Sequence, residues 1–190
     1  MAKPTVLLYP GAGSGREHAS LVAVEDCLGK AAQTERIDFL YRREGRRAPD
    51  RAPKLMASIR EDLAKVSRRR GPIFMGGRSM GGRMTTMVAA DVDGVGSVAR
   101  LAGLVLICYP LHPPGKPDKL RVEHFVDIDV PCLFISGTKD PFGTPDEMEK
   151  WTSTIPAPVE HLWIEGKRHD LKGADPAIAE ATADFIKSRL

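Results

Sequence analysis

With 190 residues, the chain is long enough for a sizeable hydrophobic core, and we expect a single domain over residues 1–190. Hydrophobic residues make up 42% of the chain and charged residues 28%, as in an ordinary soluble globular protein. The net charge of +3 is too small to indicate a nucleic-acid partner, and no run of about 18 apolar residues indicates a membrane span.

Six short apolar segments are predicted as buried strands, at residues 5–9, 34–40, 72–75, 103–108, 132–136 and 159–164. Helical patterns lie between and after them, at residues 17–28, 53–69, 80–91, 145–154 and 175–190. Because strands alternate with helices, the order predicts a parallel sheet between two layers of helices, a three-layer α/β fold. Residues 112–129 are rich in proline and then in charge, and we expect a loop there.

The cysteines indicate a reducing compartment. Cys27, Cys108 and Cys132 form an odd set without close pairs. Cys108 and Cys132 lie in apolar segments, where a free thiol behaves as a small hydrophobic side chain. The chain also leads from Met1 directly into a short strand, without an apolar leader segment. We therefore expect a cytoplasmic protein.

The most informative motif lies where the third strand meets the next helix. Gly77, Ser79 and Gly81 form a G-x-S-x-G pattern with an apolar strand before it and a helical pattern after it. In such a turn a strained backbone exposes the serine hydroxyl above a parallel sheet, and glycines on both sides avoid collisions. The motif predicts Ser79 as a nucleophile, and the alternative is an ordinary glycine-rich turn.

A nucleophilic serine needs a base, and the base needs an acid that orients it. Asp140 follows the fifth predicted strand, and His169 follows the sixth. Serine, acid and histidine thus occur in the chain order that suits this kind of turn, each after a strand. The pattern predicts Ser79, Asp140 and His169 as a catalytic triad. The alternatives are that Asp140 only caps a turn and that Asp170 is the acid.

The reaction also needs donors for the oxyanion that forms on the substrate. The backbone N–H of Met80, directly after the nucleophile, is one predicted donor. The loop after the first strand contains small residues that let the backbone approach a substrate, and we predict the N–H of Ala12 as the second donor, with Gly13 as the alternative.

Neither a cofactor nor a metal ion is expected. The segment from Gly11 to Arg16 imitates a dinucleotide-binding turn, but an arginine stands where the third glycine or an alanine is required. His112 and His124 show no metal-ligand spacing, and His18 lies near the glycine-rich loop, where a role at the rim of the site is an open alternative.

A basic run at residues 41–51 follows the second predicted strand. One interpretation is that Arg46 or Arg47 recognises an anionic group of the substrate, since loops at this edge of a sheet border the site. The favoured alternative is a solvated loop whose arginines pair with local acids. No aromatic platform accompanies the run, so nucleic acid is not an expected partner.

Together, the loop at residues 10–15, the run at 45–51, the serine turn, and segments 137–140 and 166–169 resemble the small α/β-hydrolases related to dienelactone hydrolase. Within them, the chain is most similar to a largely uncharacterised bacterial group whose eukaryotic relatives include a chromatin-complex subunit. The resemblance implies a reduced α/β-hydrolase fold without the first two strands, with six parallel strands in the order 2-1-3-4-5-6. Dienelactone hydrolases carry a cysteine where Ser79 stands, so their substrate does not carry over.

These features predict a serine hydrolase that cleaves small carboxylic esters or thioesters through an acyl-enzyme. The connection between residues 108 and 130 is too short for a helical cap domain, which favours small acyl substrates. The alternatives are a peptidase or lactone hydrolase, and a hydrolase-fold scaffold or interaction protein with little turnover. Both a monomer and a dimer are compatible with the sequence.

Overall fold

The computed structural model describes residues 2–96 and 99–190. One sheet contains the strands β1 (Thr5–Tyr9), β2 (Gln33–Arg36), β3 (Ile73–Arg78), β4 (Leu101–Ile107), β5 (Cys132–Gly137) and β6 (Val159–Ile164). The spatial order is β2-β1-β3-β4-β5-β6, and every neighbouring pair is parallel. The predicted six-stranded parallel sheet and its strand order are confirmed.

Helices cover both faces of the sheet: α1 (Ala19–Leu28), α2 (Leu40–Arg43), α3 (Ala52–Val66), α4 (Met80–Ala89), α5 (Pro145–Thr152) and α6 (Asp175–Lys187). The core is divided between these faces because successive strand residues point in opposite directions. In β1, Val6 belongs to the core cluster that contains residues of α1 and α6, whereas Leu7 belongs to the cluster that contains residues of α3, α4 and α5. The three-layer α/β fold is therefore confirmed, and strands such as β1 are apolar throughout because both faces are buried.

The second strand is shorter than the sequence predicts. β2 ends at Arg36, and residues 37–40, predicted as strand, lead instead into the short helix α2. Phe39, inside the predicted strand, and Tyr41, just beyond it, are both buried, and the Phe39 ring stacks on Tyr9 with centroids 5.3 Å apart. Their apolar character reflects burial in a loop and helix rather than sheet pairing.

All six strands run in the same direction, so their carboxyl ends meet at one edge of the sheet. The predicted serine turn follows β3, the predicted acid follows β5, and the predicted histidine follows β6 at that edge. The connection at residues 112–129 is a loop, as predicted, with one 3₁₀ turn at Phe125–Asp127. Within the described residues, no helix combines the length and the apolar character needed to cross a membrane.

Candidate active site

Ser79 alone makes the turn between β3 and α4. Its backbone has φ of 50° and ψ of −113°, a region that costs a non-glycine residue about 1–3 kcal/mol. Two hydrogen bonds fix this conformation: the Ser79 N–H donates to the carbonyl of Ile107 at 2.8 Å, and the Ser79 carbonyl accepts from the N–H of Arg83 at 3.0 Å. The side chain is thereby held at the edge of the sheet, where it remains partly exposed.

The two glycines of the motif are required by the close approach of β1. A Cβ atom on Gly77 would lie 2.1 Å from the carbonyl oxygen of Tyr9, and one on Gly81 would lie 2.3 Å from the same oxygen. Both distances are far below van der Waals contact, so any side chain at either position would displace the strand or the helix. The steric role that the motif predicts for these glycines is present.

Ser79, His169 and Asp140 form a continuous hydrogen-bonded chain. The Ser79 Oγ lies 2.9 Å from the His169 Nε2, and the His169 Nδ1 lies 2.8 Å from the Asp140 Oδ2. The Asp140 side chain is only 2% exposed, whereas the His169 side chain is 21% exposed and borders solvent. Because Nδ1 faces a carboxylate, it carries the proton, and Nε2 is left to accept a proton from the serine hydroxyl.

The loops around Asp140 and His169 hold these groups in place. The second carboxylate oxygen, Oδ1, accepts from the N–H of Phe142 at 2.9 Å, so both oxygens of Asp140 have donors. The Phe142 ring stacks on the imidazole of His169, with centroids 4.0 Å apart. The imidazole is thus packed on one face and oriented at one nitrogen. Asp170, the alternative acid, is exposed and contacts the N–H of Lys172 instead.

Arg78, directly before the nucleophile, is a site residue that the sequence analysis missed. Its guanidinium is buried and donates to the backbone carbonyl of His169 at 2.7 Å and to the Sγ of Cys108 at 3.2 Å. It therefore ties the histidine loop to the end of β3. The sequence did contain a signal for this role. A charged residue stands between Gly77 and Ser79, at the end of a strand in the middle of the sheet, where side chains are buried.

Cys108, Asp140 and His169 bring potential metal-ligand atoms within 4.8 Å of one another. Their chemistry does not suit a metal. Burial raises the pKa of the Cys108 thiol to about 12, so the thiolate that a metal needs is disfavoured at neutral pH. Both nitrogens of His169 are engaged, with Ser79 and with Asp140. The thiol is better described as a buried neighbour of the serine, histidine and aspartate.

The predicted oxyanion loop passes beside the serine. A Cβ on Gly11 would lie 3.5 Å from the Cβ of Ser79, and the next residues, Ala12 and Gly13, are exposed. Within the described part of the chain, the N–H groups of Ala12, Gly13 and Met80 have no protein acceptor. These N–H groups, predicted as donors, are therefore available to a bound group.

Tyr41 connects the basic run to this loop. Its hydroxyl donates to the carbonyl of Ala12 at 3.1 Å, while its ring is buried beside Phe39. Tyr41 was not among the predicted site residues, although an aromatic residue at the start of a polar run is a signal of anchoring. The run at residues 41–51 therefore supports the oxyanion loop through a residue that is not basic.

Arg46 and Arg47 occupy exposed positions. The Arg46 guanidinium bonds to the carboxylates of Glu44 and Asp50, at 2.6 and 2.9 Å. These hydrogen bonds raise the pKa of Arg46 above its already high value. Arg46 thus shows the local pairing that was the favoured alternative to substrate recognition, whereas Arg47 has no hydrogen bond or ion pair to the described residues, and its role stays a prediction.

His18 lies near the site and caps α1. Its Nδ1 accepts from the N–H of Ser20 at 3.3 Å. Burial, and next the positive charge of Arg78, lower the pKa of His18. The ring is therefore neutral near pH 7 and carries a structural cap at the rim of the site.

Comparisons with known proteins point to one family. A family model described as alpha/beta hydrolase domain matches residues 2–185. Dienelactone hydrolase from Anabaena variabilis is similar, with a TM-score of 0.79 and 20% identity over 100% of this chain and 88% of that chain. Est1E from Butyrivibrio proteoclasticus, with ferulic acid bound, gives a TM-score of 0.78 and 16% identity over 99% of this chain and 90% of that chain.

A third similar structure is an alpha-beta serine hydrolase homologue from Coxiella burnetii, with a TM-score of 0.76 and 16% identity over 98% of this chain and 86% of that chain. At such identities the likeness concerns the fold. The family model, in contrast, spans nearly the whole chain, including the segments that carry Ser79, Asp140 and His169. The chain therefore belongs to the alpha/beta hydrolase domain family.

Proposed function

We propose that the chain is a serine hydrolase that cleaves small carboxylic esters or thioesters through an acyl-enzyme. The observation that carries the proposal is the hydrogen-bonded chain from Ser79 through His169 to Asp140, with distances of 2.9 and 2.8 Å. A buried carboxylate, an oriented imidazole and a strained serine at the start of a helix are costly to keep together, and together they activate a hydroxyl.

The first half of the reaction forms the acyl-enzyme. Nε2 of His169 takes the hydroxyl proton as the Ser79 Oγ attacks the acyl carbon, and Asp140 stays ionised and stabilises the imidazolium. The negative oxygen of the tetrahedral intermediate accepts from the N–H of Met80 and from the N–H of Ala12 or Gly13. The imidazolium then gives its proton to the leaving alcohol or thiol as the bond to it breaks.

The second half releases the acyl group. His169 removes a proton from water, which attacks the acyl carbon of the ester on Ser79. A second tetrahedral intermediate uses the same N–H donors, and its collapse returns a proton to the Ser79 Oγ. Acid and enzyme are the products, and the hydrogen-bonded chain is restored.

Small substrates fit the architecture best. The connection between β4 and β5 has only one 3₁₀ turn, Phe125–Asp127, and forms no helical cap over the carboxyl edge of the sheet. Tyr109 and Leu111, at its start, are buried against the core rather than lining a long groove. Structural neighbours described as a dienelactone hydrolase and as lipolytic enzymes belong to ester-cleaving chemistry and support this class.

The test is hydrolysis of p-nitrophenyl acetate, butyrate and octanoate, with butyryl-coenzyme A as a thioester. We expect turnover that falls with chain length and drops by about 10³-fold or more in Ser79→Ala, because the nucleophile is lost. Ser67→Ala, an exposed serine at the end of α3, is the matched control and retains activity. Hydrolysis at the background rate, or equal rates in Ser79→Ala, would refute the proposal and favour a scaffold protein.

A further inference from the structure

Arg83, four residues after Ser79, has a guanidinium without a hydrogen bond or an ion pair to any residue that the structure describes. It lies on the first turns of α4, three residues after Met80, so the two side chains share one face of the helix. Its Nε is buried and has no hydrogen-bond partner. A buried donor that is left unpaired destabilises a protein, so this guanidinium calls for an explanation.

A second arginine is held against the same face. The Tyr109 hydroxyl donates to the backbone carbonyl of Arg121 at 2.7 Å, and His124 bonds through Nε2 to the Thr86 Oγ1 at 2.9 Å. The Thr86 hydroxyl donates in turn to the carbonyl of Arg83 at 2.7 Å. The segment that carries Arg121 is thereby fastened to the turn of α4 that carries Arg83.

The positive charge of Arg83 acts on Arg121. Burial, and next the charge of Arg83, lower the pKa of Arg121. Across residues 2–96 and 99–190, neither side chain has a hydrogen bond or an ion pair. Glu123 and Asp127 are exposed and pair with neither of them. Three other partly or fully buried arginines, Arg36, Arg60 and Arg189, have carboxylate partners, and buried Arg78 donates to a carbonyl and a thiol.

We propose that Arg83 and Arg121 form a binding site for a carboxylate on the acyl group of the substrate. The inference rests on the proposed hydrolase function and names its substrate class: esters or thioesters of short dicarboxylic acids. A carboxylate would bind the terminal N–H groups of the guanidinium, whose planar geometry it matches, and would remove the repulsion between the two cations.

Arg83 follows the proposed oxyanion donor Met80 by three residues, and neighbours at i and i+3 on a helix have Cβ atoms about 5–6 Å apart. Arg83 therefore lies one helical turn from that donor. Succinate, with two methylene groups between the reacting carbonyl and the carboxylate, is the chain length that the experiment below uses. Arg46, the arginine first considered for this role, already bonds to Glu44 and Asp50.

The experiment compares two esters of equal chain length, p-nitrophenyl butyrate and mono-p-nitrophenyl succinate. We expect the native protein to favour the succinate ester, and Arg83→Gln to lower kcat/KM on it by about tenfold or more relative to the butyrate ester. Arg121→Gln acts in the same direction. Arg70→Gln makes the same charge change at an exposed site before β3 and leaves the ratio unaltered. Added salt lowers the preference in the native protein.

Equal losses on both esters in Arg83→Gln would overturn the proposal, as would a native protein without preference for the succinate ester. If neither ester is hydrolysed, the proposed function is wrong, and a binding measurement then tests the carboxylate site on its own. Methyl hydrogen succinate is then titrated calorimetrically into Ser79→Ala and into Ser79→Ala with Arg83→Gln. Weaker binding to the double variant supports the carboxylate site, and equal or undetectable binding to both contradicts it.

Discussion

Arg78 is the residue whose replacement tests most sharply how the site is held together. Its buried guanidinium donates to the carbonyl of His169 at 2.7 Å, across 91 positions of sequence. Arg78→Met keeps an unbranched side chain but removes both donors. A hydrogen bond from a charged group contributes about 1.5–3 kcal/mol, so we expect the free energy of unfolding to fall by about 2 kcal/mol.

The catalytic activity of Arg78→Met should fall by more than the loss of stability alone would cause. Without its anchor, the His169 loop relaxes, and a displacement of about 1 Å at a reacting group costs about 10²-fold in rate. Since Arg78 is buried beneath the turn and is not placed against the acyl group, kcat should fall while KM on p-nitrophenyl butyrate changes little. Arg78→Lys, which keeps the charge but has a single donor nitrogen, should recover part of the loss.

Three measurements check this prediction: urea unfolding, steady-state kinetics, and NMR titration of His18. The charge of Arg78 lowers the pKa of His18, so that pKa should rise in Arg78→Met. Arg70→Met, at an exposed position, is the control and should alter none of the three. A loss of stability with kcat unaltered would show that Arg78 only supports the fold and would refute its role in positioning His169.

Three further predictions concern separate parts of the fold. Burial lowers the pKa of His124 from 6.5 to about 4. As the pH falls, the unfolded chain therefore binds a proton at this histidine at a higher pH than the folded protein does. Stability should therefore drop between pH 6.5 and 4, by about 3 kcal/mol at pH 4, and urea unfolding of His124→Gln should show a flatter pH profile. Tyr41→Phe releases the carbonyl of Ala12 and should lower the unfolding free energy by about 1 kcal/mol and also kcat. Gly81→Ala places a Cβ 2.3 Å from the Tyr9 carbonyl and should lower the unfolding free energy by about 3 kcal/mol, measured as a fall in Tm.

Each of these has a result that contradicts it. An acid transition in His124→Gln as steep as in the native protein would assign the acid sensitivity to other groups. Unaltered kcat in Tyr41→Phe would separate this hydroxyl from the oxyanion loop. Gly13→Ala, where nothing lies within 4 Å of the added Cβ, is the control for Gly81→Ala, and equal Tm values for the two would refute the steric argument.

The sheet could be predicted because each strand and each helix has its own pattern of apolar residues within a short segment of the sequence. Buried parallel strands are continuous apolar runs, and the helices between them repeat apolar residues on one face, so the order of elements follows from the pattern. The boundary at β2 was wrong for a physical reason. Phe39 is as apolar as a strand residue, but it packs from the turn before the short helix α2. Burial alone does not separate these cases.

Part of the candidate site could likewise be predicted from the sequence, and part could not. Ser79, Asp140 and His169 were predictable because each follows a strand, and parallel strands bring such positions to one edge. Arg78 and Tyr41 were missed because their roles depend on where distant loops fold back, over the His169 carbonyl in one case and the Ala12 carbonyl in the other. Contacts of that kind follow from loop conformation, which a periodic pattern does not encode.

Covalent labelling tests whether Ser79 is the activated nucleophile. The native protein is treated with a fluorophosphonate, its intact mass is measured, and the modified peptide is sequenced by mass spectrometry. A single adduct on Ser79 is predicted, absent in Ser79→Ala and formed much more slowly in His169→Gln, because the base activates the hydroxyl. An adduct on another residue, labelling that persists in Ser79→Ala, or no labelling of the native protein would contradict the account.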